Sequence, residues 1–174
     1  MGRLPTEVVN SPFEAAIAAL DQIPGIGRRA AEEVLAEIVT DMSCFPSHRH
    51  LASWAKVCPG NNQSGGKRRS GYSGKGNRWL KSAFVDSAWC ASRARNSYFS
   101  ALYHRLAARR GEKRAQLAVA HSLLVTIYHV LRGDTTYQDL GATYFDERDR
   151  NLIERRAVRN LERLGYRVAP ERAA

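Results

Sequence analysis

The stretch Gln22-Ile23-Pro24-Gly25-Ile26-Gly27-Arg28-Arg29-Ala30-Ala31 ends one helical pattern and opens another. Upstream, Pro12 suits the first turn of a helix over about Phe13 to Gln22, with Phe13, Ile17 and Leu20 on one face at i, i+4, i+7 spacing. Downstream, an Ala- and Glu-rich helix runs from about Arg28 to Val39 and turns Ala31, Val34, Leu35 and Ile38 inward. The same period recurs beyond it. A helix is expected from about His50 to Val57, stopping at Pro59-Gly60. Helices resume at Asn77, with Leu80, Ala83, Phe84, Ser87, Ala88 and Ala91 facing inward, and the chain reads helical to Arg110. Glu112 to Arg132 is apolar on several faces and so is the expected central helix, ended by Gly133-Asp134. A last amphipathic helix is expected over about Glu147 to Leu164, with Ile153, Ala157, Leu161 and Leu164 on its inward side. The fold class is therefore all-α: a helical bundle holding a short glycine turn between two helices and a basic glycine-rich loop.

Composition narrows the partner. The 174 residues carry 27 Lys and Arg against 17 Asp and Glu, a net charge of +10, with 44% hydrophobic residues. That apolar fraction supports a packed core, and the excess of cations points to a polyanion, nucleic acid before acidic lipid. No apolar run approaches the ~18 residues a bilayer span needs, and no signal-peptide core is visible, so no membrane partner and a cytoplasmic location are expected. Three cysteines, Cys44, Cys58 and Cys90, form no C-x-x-C pair and fit a reduced compartment. With His48 and His50 they match no common zinc spacing. Buried thiols and a surface histidine pair are the expected reading, with no metal site.

Two segments can hold phosphate. In the first, Gly25 and Gly27 let a ligand approach the backbone, and the turn opens onto a helix N-terminus whose N–H groups lack partners. The helix dipole there favours an anion, and Arg28 and Arg29 add charge; a tight turn that binds nothing is the alternative. In the second, the 44 residues from Met42 to Val85 hold no Asp or Glu but eight bases, among them Lys67, Arg68, Arg69, Lys75 and Arg78. Within it Asn61 to Gly76 has five glycines and no aliphatic side chain, which reads as a loop or irregular hairpin, with Tyr72 able to stack on a base. A basic linker without a defined role is the competing reading. Ser64, Ser70 and Ser73 lie in this loop, where a serine is more often a turn-former than a nucleophile.

Taken in order, QIPGIGRRAAEEVLAEI, LASWAKVCPG, QSGGKRRSGYSGKGNRWLKSAF and KRAQLAVAHSLLVTIYHVL, closing with Tyr137, resemble the C-terminal transposase domain of the IS110 and Piv-type insertion-sequence transposases. The glycine turn resembles a helix-hairpin-helix motif, which grips DNA backbone without reading sequence. The resemblance implies a DNA recombinase of two parts. One is a ribonuclease-H-like domain with four acidic residues that bind Mg2+. The other carries a serine that links covalently to DNA, and family members use a structured guide RNA. Matched residue by residue, the family serine falls on Ser64, ahead of Ser73 and Ser70, with Lys67, Arg68 and Arg69 beside it.

Only about twenty residues precede the turn, so the acidic domain is expected to act in trans or to have been lost. This chain is then expected to need no cofactor of its own and to form a homo-oligomer. The expected layout is an N-terminal helix or linker over residues 1–19, the transposase domain over 20–140 and a basic helix over 141–174. A non-enzymatic accessory module that holds DNA is the rival class, and RNA binding alone is a weaker one. If the basic surface neutralises about five phosphates, affinity for duplex DNA should fall with a log–log salt slope near −4 to −5. Fluorescence anisotropy over a salt series reads that slope, and a slope near zero removes the cationic surface from the account.

Overall fold

The computed structural model describes residues 12–58, 63–68 and 76–168. Among them are eight α-helices: α1 (Pro12–Asp21), α2 (Arg28–Ile38), α3 (His48–Ala55), α4 (Arg78–Arg93), α5 (Tyr98–Arg110), α6 (Glu112–Arg132), α7 (Tyr144–Arg148) and α8 (Arg150–Arg163). A 3-10 turn, Met42–Cys44, precedes α3, and a small hairpin of β1 (Gln63–Ser64) and β2 (Lys67–Arg68) lies between α3 and α4. The fold is all-α, as the periodicity requires.

The central helix is α6. It packs against α1, α3, α4 and α5, and buries Ala115, Val119, Ala120, Leu123, Leu124, Ile127 and Tyr128. Its length carries the packing, since burial of such side chains contributes ~1.5–3 kcal/mol each. The only polar atom that Tyr128 brings inside is its hydroxyl, which donates to the Phe45 carbonyl at 3.0 Å. The inward stripe of α4 is as the sequence implies: Leu80, Ala83, Phe84, Ser87, Ala88 and Ala91 are all buried. So are Ala31, Val34, Leu35 and Ile38 of α2.

Three expectations need correction. Phe13 is 43% exposed although Ile17 and Leu20 beside it are buried, because α1 meets the core only through its C-terminal half. The helical stretch from Asn77 to Arg110 is made of two helices, α4 and α5. Asn96 adopts a left-handed φ of 57°, and Ser97 caps α5 by accepting from the Ser100 N–H. The last helix is likewise divided. Phe145 of α7 is buried and stacks on Tyr98 at 5.2 Å, while Arg105 pairs with Asp149 where α7 ends. Beyond that anchor α8 buries no side chain. Its supposed inward residues Ile153, Ala157, Leu161 and Leu164 are all exposed, because the bundle offers no surface opposite them. Finally, Cys44, Cys58 and Cys90 are exposed, not buried; Met42, rather than Cys44, takes the buried place in the 3-10 turn.

One internal histidine links this packing to pH. Desolvation, aided by the like charge of His48, holds the His121 imidazole below the ordinary histidine range. Its Nδ1 lies 3.3 Å from Cys58 Sγ. An unfolded histidine titrates near ~6.5, so on acidification the unfolded chain takes up a proton that the folded chain refuses. Stability should therefore be full above that pH and decline as pH falls toward the folded value. Thermal melts should show a lower Tm at about pH 5 than at about pH 7, and His121→Gln should flatten that difference. An unchanged slope in the variant would place the pH dependence elsewhere.

Candidate nucleic-acid interface

The turn between α1 and α2 is held from both sides by apolar side chains. Ile23 and Ile26 are buried, and the Ile26 N–H donates to the Ile23 carbonyl at 2.9 Å. Gly25, with φ 90°, lies directly on α4: a Cβ there would sit 2.5 Å from the Ala91 nitrogen and 2.5 Å from the Ser87 carbonyl oxygen. Its lack of a side chain serves helix packing. Gly27 differs. It has an ordinary extended φ of −89° and ψ of 171°, and a Cβ at that position would meet nothing within 4 Å. As the N-cap of α2 it provides no side-chain acceptor, so the first N–H groups of that helix have no side-chain cap at the positive end of its dipole.

A shallow cleft of about 440 Å³ lies beside the turn, lined by residues 21–27 and Cys90. The two arginines expected to add charge there are engaged. Arg28 bonds Glu14 at 2.7 Å and Glu32 at 2.9 Å, which ties α1 to α2 across the turn. Arg29 bonds Glu33 at 3.1 Å, although its side chain is 90% exposed. These are surface pairs, screened by salt and open to exchange for a phosphate.

In the hairpin, Gly65 and Gly66 have φ of 56° and 72°, the two positive values that a two-residue type I′ turn requires. The register pairs Ser64 with Lys67 and Gln63 with Arg68. Ser64 and Lys67 are both exposed, and as directly opposed residues their Cβ atoms lie ~4.5–5.5 Å apart. A hydroxyl and an ammonium thus share one side of a two-residue loop. Arg78 is exposed at the start of α4, where Asn77 caps the helix by accepting from the Trp79 and Leu80 N–H groups. The Asn77 side chain also donates to Glu37 at the end of α2. Ser70, Ser73, Arg69, Tyr72 and Lys75 lie outside the described residues, as does the Arg68 side chain.

The structure therefore brings Ser64 to Lys67, and places Arg78 at the start of α4. That start lies well away from the glycine turn. Asn77 and Ala91 are 14 residues apart on α4, or about 21 Å at 1.5 Å rise per residue. The sequence reading passed over Trp79 and Trp89, both exposed on α4 between these two ends. Their signal was present, since neither belongs to the inward stripe. Among the described residues no three His, Cys, Asp or Glu side chains gather as metal ligands. The described carboxylates of α2 are occupied by Arg28, Arg29 and Asn77, so these residues do not fit a magnesium ion. No helix among the described residues is long and apolar enough to cross a membrane.

Residues 17–104 match the model of the Transposase IS116/IS110/IS902 family, a segment that takes in the turn, the hairpin and all of α4. The chain is similar to a pilin gene-inverting protein of Moraxella lacunata, 32% identical over 116 residues, which is 65% of this chain and 36% of that protein. Its counterpart in Moraxella bovis is 33% identical over 116 residues, with the same coverage. An insertion element IS110 uncharacterized 43.6 kDa protein of Streptomyces coelicolor is 33% identical over 122 residues, 68% of this chain and 29% of that protein. The chain thus spans about a third of the length of the curated relatives it matches.

The two glycines of the turn predict separable variants. Gly25→Ala should destabilise the fold by about 1–3 kcal/mol or more, since the added carbon meets α4 backbone. Gly27→Ser should leave stability unchanged or raised, because serine is a favoured N-cap. Its hydroxyl would nonetheless occupy the N–H groups offered to phosphate, so duplex affinity should fall. Urea denaturation and anisotropy on both variants check the pair; full DNA affinity in the serine variant would show that the α2 N-terminus holds no phosphate.

Proposed function

The chain belongs to the IS116/IS110/IS902 transposase family, and from that premise we propose that it is the DNA-handling part of a serine-dependent recombinase. In this reading the segment from α1 to α2 is a helix-hairpin-helix element whose Gly27-led N-terminus receives a backbone phosphate. The hairpin receives a second stretch of backbone through Lys67, Arg68 and Arg69. Ser64 is the nucleophile. Its Oγ forms a bond to phosphorus as the bond from phosphorus to a sugar oxygen breaks. The hydroxyl proton leaves to a base outside the described residues, and the departing sugar oxygen takes up a proton. Charge that develops on the phosphoryl oxygens is met by Lys67, directly across the hairpin.

The observation that carries this reading is the register of the hairpin: Ser64 opposes Lys67 across Gly65-Gly66, exposed, on a segment matched by the family. A serine that only formed the turn would need no cation opposite it. We further propose that the protein acts together with an acidic, Mg2+-binding domain, works as a homo-oligomer and has its site chosen by a structured guide RNA. The names of the relatives, a gene-inverting protein and an insertion-element protein, support rearrangement of DNA as the outcome.

The test is a covalent-adduct assay with labelled duplex DNA and the acidic domain of a full-length relative supplied in trans. Ser64→Ala should reduce adducts to background while duplex affinity stays within about twofold, and Ser70→Ala and Ser73→Ala should retain adducts. Equal adduct formation by Ser64→Ala excludes it as nucleophile. Adducts absent even with the unaltered chain, at full duplex affinity, would favour a non-enzymatic accessory module.

A further inference from the structure

The proposed grip has its two ends far apart on α4, and what lies between them is informative. The start of α4 is fixed at one end. A Cβ on Gly76 would lie 2.5 Å from Lys56 Cγ at the end of α3, and Asn77 is tied to Glu37. The glycine turn is fixed at the other end, over Ser87 and Ala91. Between these two ends α4 also presents an outer edge to solvent. That edge carries Trp79, Ser82, Asp86, Trp89 and Arg93, all exposed, at spacings of three, seven, ten and fourteen residues from the first. These steps return to one side of a helix of 3.6 residues per turn. It is the side opposite the buried stripe of α4.

Trp79 is 74% exposed, an unusual state for the side chain with the most apolar area to hide. Trp89 is 42% exposed, and the Arg93 guanidinium stands 3.7 Å from its ring centroid. Cys90, next to Trp89 in the chain, lines the cleft beside the turn. At the other end Trp79 directly follows Arg78 and Asn77. Along 78–95 the chain carries Arg78, Lys81, Arg93 and Arg95 against Asp86. Because Asp86 stands between the two indoles, charge alone does not fix a strand at the middle of the edge. Ring faces have to contribute.

We infer that the outer edge of α4 is a base-stacking platform for an unpaired DNA strand. The chemistry selects the ligand. A duplex hides its base faces in its own stack and offers an indole nothing to lie on, whereas every unpaired base presents a face, whatever its identity. Two indoles about 15 Å apart along the axis, flanked by guanidinium groups, match a sugar-phosphate chain whose bases are turned toward the protein. Strand cleavage and exchange create such a chain. The inference rests on the proposed DNA reading in one respect, that this protein holds DNA at all.

The test uses the full chain, an oligo(dT) of about a dozen nucleotides, a duplex of equal length and oligo(U), at one fixed salt concentration. Intrinsic tryptophan fluorescence and anisotropy are both recorded. Oligo(dT) should quench the fluorescence. Trp79→Ala and Trp89→Ala should each weaken oligo(dT) binding by about 5- to 100-fold and leave duplex affinity within about twofold. Trp79→Phe should recover part of the loss, and Trp54→Phe should change neither, since Trp54 lies on α3 beside Phe45 at 5.7 Å. Full oligo(dT) affinity in Trp79→Ala and Trp89→Ala, with normal duplex binding, overturns the platform and leaves the grip standing. Quenching by oligo(U) but not by oligo(dT) overturns the assignment to DNA. Failure to bind duplex and oligo(dT) alike at low ionic strength sinks the DNA reading itself.

Discussion

The arrangement depends on one steric constraint: the backbone of the turn at Gly25 lies on the backbone of α4 with no room for a β-carbon. Proteins do not leave such a contact adjustable, because packed interiors tolerate neither a gap nor an overlap of one methyl group. With the turn seated on Ser87 and Ala91, the direction of α2 follows, and Gly27 faces outward instead of inward. Because α4 is itself buried along its inner face against α6, the turn inherits the rigidity of the bundle centre. A phosphate site made of backbone N–H groups needs that rigidity, since it has no side chain to adjust.

Charge is distributed differently from what the net value suggests. The excess of +10 is not concentrated at the turn, where Glu14, Glu32 and Glu33 neutralise Arg28 and Arg29. It resides on the acid-free run through the hairpin and on α8. In the proposed function two kinds of anion recognition coexist on one molecule. The turn supplies a dipole and N–H groups; the hairpin supplies full charges on a glycine scaffold. The first is directional and short-ranged, the second attracts from a Debye length of ~8–10 Å.

Much of this was readable in the residues. The inward stripes of α2, α4 and α6 follow from period alone, because a helix buried on one side leaves no freedom in which positions are apolar. Family resemblance likewise came from several motifs in order, and the match over residues 17–104 bears it out. The misreadings share a cause. Ile153, Leu161 and Leu164 form a regular face, but periodicity reports which residues would pack together, not whether a neighbour exists to pack against. The same limit explains Phe13. Trp79 and Trp89 do not stand out in the sequence, because exposure cannot be inferred from residue type. Gly25 and Gly27 looked equivalent in sequence, and only the proximity of α4, far along the chain, separates their roles.

In the proposed function the bundle of this family member serves to hold two sites for DNA backbone. The most direct test of that claim is an amide-resolved NMR titration of the isotopically labelled chain with branched DNA containing duplex and unpaired strand. The account predicts that the amides of Arg28, Arg29 and Ala30 shift together with those of Gly65, Gly66 and Lys67, at one common stoichiometry, while the amides buried in α6 stay in place. Shifts confined to α8, or shifts at the hairpin with the turn silent, would contradict it.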